Sequence, residues 1–164
     1  MRIEQKTLTI LVAEDNGSNF KLIESILGKD YHLLHAWNGK EAIELYREYE
    51  PQLILMDINM PVMDGYEATR EIRKFSLQVP IIAVTAFAYA SDEQKAMDNG
   101  FNAYMSKPIN AGQLRPKITS ILQRHVVFYV TNRKKSCFFY SFLLNSFRYK
   151  SVTSSFHLCN GFKI

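Results

Sequence analysis

The feature that most constrains this chain is a fivefold alternation of short apolar runs with helical patterns. "LTILVA" (8–13), "YHLLHA" (31–36), "LILM" (53–56), "IIAVTA" (81–86) and "AYMS" (103–106) are followed by helical segments at 17–29, 38–48, 65–75, 89–99 and 110–124. Runs this short suit strands, whereas spacings such as Phe20, Ile23, Leu27 suit a helix face. Strands that alternate with helices predict a parallel sheet covered on both faces. The runs are continuously apolar, so most strands should be buried on both sides. Turn signals agree: Asn38-Gly39, Asp64-Gly65 and Asn99-Gly100 mark turns and caps, and Pro51 and Pro80 precede strands.

Charge divides the 164 residues into two parts. Residues 1–124 hold 14 Lys+Arg and 16 Asp+Glu, a net of −2, whereas 125–164 hold six Lys+Arg and no acid. The overall +4 is therefore a property of the last quarter and does not make the folded part a nucleic-acid or membrane binder. Cys137 and Cys159 are too few and too isolated for a disulfide framework or metal site. With no signal-peptide pattern and no run approaching a membrane span, a cytoplasmic, soluble domain is expected.

In open parallel sheets, sites form outside the carboxyl ends of the strands. Those positions hold Glu14 and Asp15 after the first run, Asp57 after the third, Thr85 near the end of the fourth and Lys107 after the fifth. Three carboxylates gathered at one edge repel by about 4 kcal/mol per pair at 4 Å with an effective dielectric near 20. A hard divalent cation removes that repulsion, and oxygen ligands with open positions suit Mg²⁺. Asp57 can then act as a nucleophile toward a phosphoryl group, with Lys107 and Thr85 meeting the phosphoryl oxygens. The ordinary alternative is that Glu14 and Asp15 merely cap the next helix.

"AEDN" (13–16), "LILMDINMPVMDG" (53–65), "IIAVTAFA" (81–88) and "AYMSKPI" (103–109) together resemble the receiver domain of two-component response regulators, especially receivers of hybrid sensor histidine kinases. The resemblance covers residues 6–124. It implies a flavodoxin-like fold, five parallel strands in the order 2-1-3-4-5. It further implies that Asp57 is the phosphoacceptor, served by a histidine kinase or phosphotransfer domain. Asp15 would bind Mg²⁺ directly, Glu14 through water and Asn59 through its backbone carbonyl. Thr85 and Lys107 would contact the phosphoryl oxygens, and Tyr104 would be the switch aromatic. A cis Lys107-Pro108 bond is also implied. Such a receiver catalyses its own phosphorylation and dephosphorylation, and the chain has no room for a kinase core.

Rival readings fare less well. A dehalogenase-type phosphatase wants an acid two residues after its nucleophile, where this chain has Asn59. The alternative is a stand-alone or DNA-binding regulator with residues 125–164 as an output or interaction tail; to bind DNA that segment would need a recognition helix, and it shows no helical period. It holds ten of the chain's 21 aromatics, and it reads as non-domain, read-through sequence, with an aromatic-basic interaction tail as the functional alternative. His32 and His35 read as surface or packing residues, and Met56, Met60 and Met63 as core and loop packing. Pro116 predicts a late start or a kink near Arg115 in the last helix, which bears on the output surface rather than the chemistry.

Overall fold

The computed structural model describes residues 8–86 and 90–132. Each apolar run forms a strand: β1 Thr9–Ala13, β2 His32–Ala36, β3 Leu53–Asp57, β4 Ile81–Thr85 and β5 Ala103–Ser106. Between and after them lie α1 Gly17–Leu27, α2 Gly39–Tyr49, α3 Gly65–Arg73, α4 Ala90–Asp98 and α5 Ala111–Asn132. All pairings are parallel, in the order β2-β1-β3-β4-β5. The central strands β3 and β4 are buried at every residue, and the edge strands β2 and β5 are half-exposed. Continuous apolarity thus reads as two-sided burial only away from the sheet edges.

Alternate residues supply two cores. Ile10, Val12, Leu55, Ile82 and Val84 face the layer holding Ile23, Leu27, Leu114 and Ile118 from α1 and α5. Leu11, Ala13, Met56, Ile81 and Ala83 face Ala42, Ala68, Ile72 and Ala96 from α2, α3 and α4. The methionines behave as packing groups, since Met56 and Met60 are buried and Met63 packs against this second core.

Helix starts follow local polar chemistry. Asn16 Oδ1 accepts from the N–H groups of Ser18 and Asn19, Asn38 Oδ1 from Glu41 and Asp64 Oδ1 from Glu67. At α2 the Glu41 carboxylate reaches back as well, accepting from Trp37 N at 2.9 Å and from the Asn38 side-chain amide at 2.9 Å. Helix α4 ends with Gly100 at φ +92, Gly100 N donating to Met97 O and Phe101 N to Ala96 O. This double closure wants a left-handed residue, which glycine adopts without a Cβ penalty.

Helix α5 departs from expectation at both ends. It begins at Ala111, before Pro116, so the late start is not found. Asn110 closes the first turn by accepting from Gly112, Gln113 and Leu114. Pro116 therefore removes one bond, to the Gly112 carbonyl, at a cost of about 3 kcal/mol. Burying Leu114, Ile118, Ile121 and Leu122 returns about 1.5–3 kcal/mol each, and packing wins. The helix also runs past Arg124 to Asn132. The basic aromatic segment expected without helical period over 125–164 thus opens as the end of α5, and its remainder, 133–164, lies outside the described residues.

Candidate functional site

Every strand-end residue singled out above lies at the carboxyl edge of the sheet. Glu14 follows β1 and is 1% exposed, Asp57 closes β3 at 4%, and Thr85 closes β4 and is buried. Asp15 stands beside Glu14 in solvent. Lys107 follows β5, where its N–H donates to Thr85 O at 2.7 Å and its bond to Pro108 is cis. Helix α1 is capped by Asn16, so the capping alternative for Glu14 and Asp15 fails.

The charges converge on Lys107. Its Nζ lies 2.6 Å from Asp57 Oδ2 and 2.7 Å from Glu14 Oε2. Asp57 Oδ1 accepts from Asn59 N at 3.1 Å, and Glu14 Oε1 accepts from Asn19 Nδ2 at 2.7 Å. Burial pushes the Asp57 carboxyl above its ordinary range; the hydrogen bond and charge of Lys107 pull it back in part, and Glu14 pushes it further up. Burial alone would lower Lys107, but Asp57 and Glu14 together hold its ammonium above the usual lysine value. The pocket therefore stabilises one positive charge strongly and carries more negative charge than that lysine balances.

Carboxylate oxygens of Glu14, Asp15 and Asp57 lie within 4.8 Å of one another. Ligands at 2.0–2.1 Å around an octahedral Mg²⁺ stand about 2.9 Å apart when adjacent and about 4.2 Å apart across the ion, so two of these carboxylates can close on one ion while the third acts through water. All three donors are hard oxygens, the type that ion prefers.

The loop after Asp57 is shaped by backbone. Gly65 N donates to Ile58 O, and a Cβ at Gly65 would stand 2.2 Å from Asp57 O, so nothing larger than glycine fits. Around Val62, whose φ is +70, Met63 N donates to Pro61 O at 2.8 Å, closing a γ-turn. Met63 O in turn accepts from Gly39 N at 3.0 Å, tying this loop to the start of α2. Asn59 is exposed in the loop, and Tyr104 on β5 packs half-buried against the second core.

Two partners were missed by sequence reasoning. Asn19, in the first turn of α1, reaches back to Glu14, and His35 Nε2 lies 2.8 Å from the Glu14 backbone oxygen. Helical spacing could have flagged Asn19 as a polar residue on the strand-end side; nothing local marks His35. His32 is exposed, as expected.

Comparison with known proteins agrees with this geometry. The family model for the response regulator receiver domain matches residues 10–119. The polar-differentiation response regulator DivK of Brucella anthropi is 38% identical over 117 residues, covering 70% of this chain and 95% of the relative. DivK of Brucella suis biovar 1 is 38% identical over 119 residues, covering 71% and 97%. Among solved structures, the receiver domain of a Pseudomonas aeruginosa sensor histidine kinase, with a magnesium ion coordinated in its active-site cleft, is 35% identical with a TM-score of 0.66, covering 71% of this chain and 98% of that one. The receiver domain of a Saccharomyces cerevisiae response regulator, co-crystallised with its histidine phosphotransfer protein, is 36% identical with a TM-score of 0.65, covering 69% and 87%.

Proposed function

Because the chain belongs to the response regulator receiver family, we propose that it accepts a phosphoryl group on Asp57 from a phosphohistidine and uses the modified site to switch a protein-binding surface. The observation that carries this reading is the convergence of Lys107 on two buried carboxylates beside a third, exposed one. Asp15 and Asp57 would hold Mg²⁺ directly, Glu14 through water and Asn59 through its carbonyl. The ion would supply positive charge to the phosphoryl oxygens and let three carboxylates coexist.

In the transfer, an Asp57 carboxylate oxygen attacks phosphorus, the bond from phosphorus to the histidine nitrogen breaks, and its electron pair leaves with the imidazole. Lys107 moves from balancing the free carboxylates to balancing the transferred oxygens, a role that costs little rearrangement because its Nζ already lies against Asp57. Thr85 closes the neighbouring strand and offers its hydroxyl to the same oxygens. Its displacement toward them is the proposed signal to Tyr104, which lies on the adjacent strand β5.

The donor would be a histidine kinase or a phosphotransfer protein, in keeping with the yeast complex. Likeness to the Pseudomonas receiver supports an origin in a hybrid sensor histidine kinase, and likeness to DivK, matched over nearly its whole length, supports a stand-alone receiver. No helix among the described residues is long and apolar enough to cross a membrane; a cytoplasmic location is part of the proposal, as is a receiver that binds no nucleic acid itself. Incubation with acetyl phosphate and Mg²⁺ should add one phosphoryl group by intact mass, and Asp57→Asn should abolish the gain. Labelling that persists on another carboxylate refutes the assignment.

A further inference from the structure

Strand β2 contributes no carboxylate, hydroxyl or amine to the site, yet it touches the loop that carries Glu14 and Asp15. The β1–β2 register ends at Ala13 opposite Ala36. Glu14 N continues the ladder by donating to Ala36 O at 3.0 Å. Beyond this the chain turns into α2: the next donor in register, Asn38, is the N-cap of that helix, and Trp37 N donates to the Glu41 side chain. The next acceptor on β1, the Glu14 carbonyl, is met instead by a side chain, with His35 Nε2 at 2.8 Å. A carbonyl only accepts, so Nε2 is the protonated nitrogen of the ring.

The ring is held for this contact. Phe20 stacks on it at 3.9 Å with planes 6° apart, and Trp37 lies against it at 4.3 Å. Trp37 also lies over Gly17, where an added Cβ would meet its ring at 3.5 Å. The Glu14 carbonyl and the Asp15 N–H share one planar peptide unit. Fixing that carbonyl fixes the plane from which Asp15 leaves, while the Glu14 side chain is independently held by Asn19 and Lys107.

We propose that His35 is a positioning residue of the metal site: its Nε2–H, bonded to the Glu14 carbonyl, sets the peptide that aims Asp15 at the cation. The proposal rests on reading Glu14 and Asp15 as metal ligands. Simple aromatic packing by His35 is the competing account, and the two separate cleanly. His35→Gln places an amide N–H near the Nε2 position but loses the stack; His35→Phe keeps the stack and loses the donor. His35→Asn loses both, since its amide reaches only as far as Nδ1, and serves where the Phe variant fails to fold.

Mg²⁺ affinity by calorimetry should fall about tenfold in His35→Phe and His35→Asn and stay within about twofold of the parent in His35→Gln, the range typical of groups that orient a metal ligand. The amide NMR signals of Glu14, Asp15 and Asn16 without metal should move in the Phe and Asn variants and hold in the Gln variant. Equal losses in Gln and Phe, or no loss in Phe, overturn the proposal. If the parent chain binds no Mg²⁺, the metal reading fails, and the amide signals still decide whether His35 sets the loop: the Phe shift without the Gln shift upholds it, and unchanged signals in Phe refute it.

Discussion

Replacing Lys107 by methionine tests the electrostatics of the pocket most directly, because the alkyl volume is kept and the charge removed. Lys107 is 18% exposed at its side chain, and the Glu14 and Asp57 side chains it bridges are nearly dry. Without the ammonium, two carboxylates within 4.8 Å repel by about 3 kcal/mol at an effective dielectric near 20. Losing one partner of a buried ion pair costs about 3–5 kcal/mol in general. Protonation of Asp57 caps the loss, since each unit of pKa shift corresponds to about 1.4 kcal/mol. We therefore expect Lys107→Met to destabilise the metal-free chain by about 3 kcal/mol, lowering the urea midpoint by about 1–3 M. Mg²⁺ should reverse most of this. At one hundred times its dissociation constant a ligand stabilises by about 2.7 kcal/mol, and in the variant the ion also replaces the missing charge. The assay is urea unfolding of both chains with and without Mg²⁺. A gap between variant and parent that is equal in the two conditions would show that Lys107 acts through packing, and the charge argument would be wrong.

Asp15→Asn should weaken Mg²⁺ binding at least tenfold and Glu14→Gln less, since Glu14 is buried against Lys107 and Asn19 whereas Asp15 faces solvent; equal losses by calorimetry would reverse the two roles. Gly65→Ala should cost about 1–3 kcal/mol and slow acetyl-phosphate labelling, because its Cβ meets the Asp57 carbonyl at 2.2 Å; unchanged stability and labelling would show that the loop yields freely. Burial and the nearby Arg73 guanidinium hold His125 below its ordinary 6.5. The folded chain then binds this proton less well than the unfolded one, so the contribution is full above pH 6.5 and is lost as pH falls through the folded value. His125→Gln should flatten the fall in stability between pH 7.5 and 5, and identical pH profiles would refute the assignment.

The sheet was legible because each strand is a short, mostly apolar run, and its parallel character follows from alternation with helices. Site residues were legible for the same reason: in this topology the residue after each run must lie at one edge. The late start read for helix α5 misled because Pro116 is a strong local signal, and the sequence alone does not show that four residues on one face of the helix are buried. His35 was invisible for a different reason. Its part depends on where the β1–β2 ladder stops, and on the side chain reaching one carbonyl beyond that point. No spacing within either strand records such a register. Asn19 lay in between, since it faces the right way by helical geometry but needs the observed approach of α1 to β1 to meet Glu14.

The γ-turn at Val62 changes what tolerance means on this surface. The side chain is 83% exposed, and by contacts alone nearly any residue would serve there. A β-branched residue at φ +70 nevertheless crowds its own backbone, at a cost on the order of 1–2 kcal/mol. Glycine takes that conformation more easily, although it gives back part of the gain through a freer unfolded chain. Position 62 is thus graded by backbone freedom and hardly at all by polarity: lysine or serine would bring solubility without relief, and isoleucine would keep the crowding. An exposed valine in the loop behind Asp57 is a small store of conformational tension, and drift at that position would retune how stiffly the loop is held.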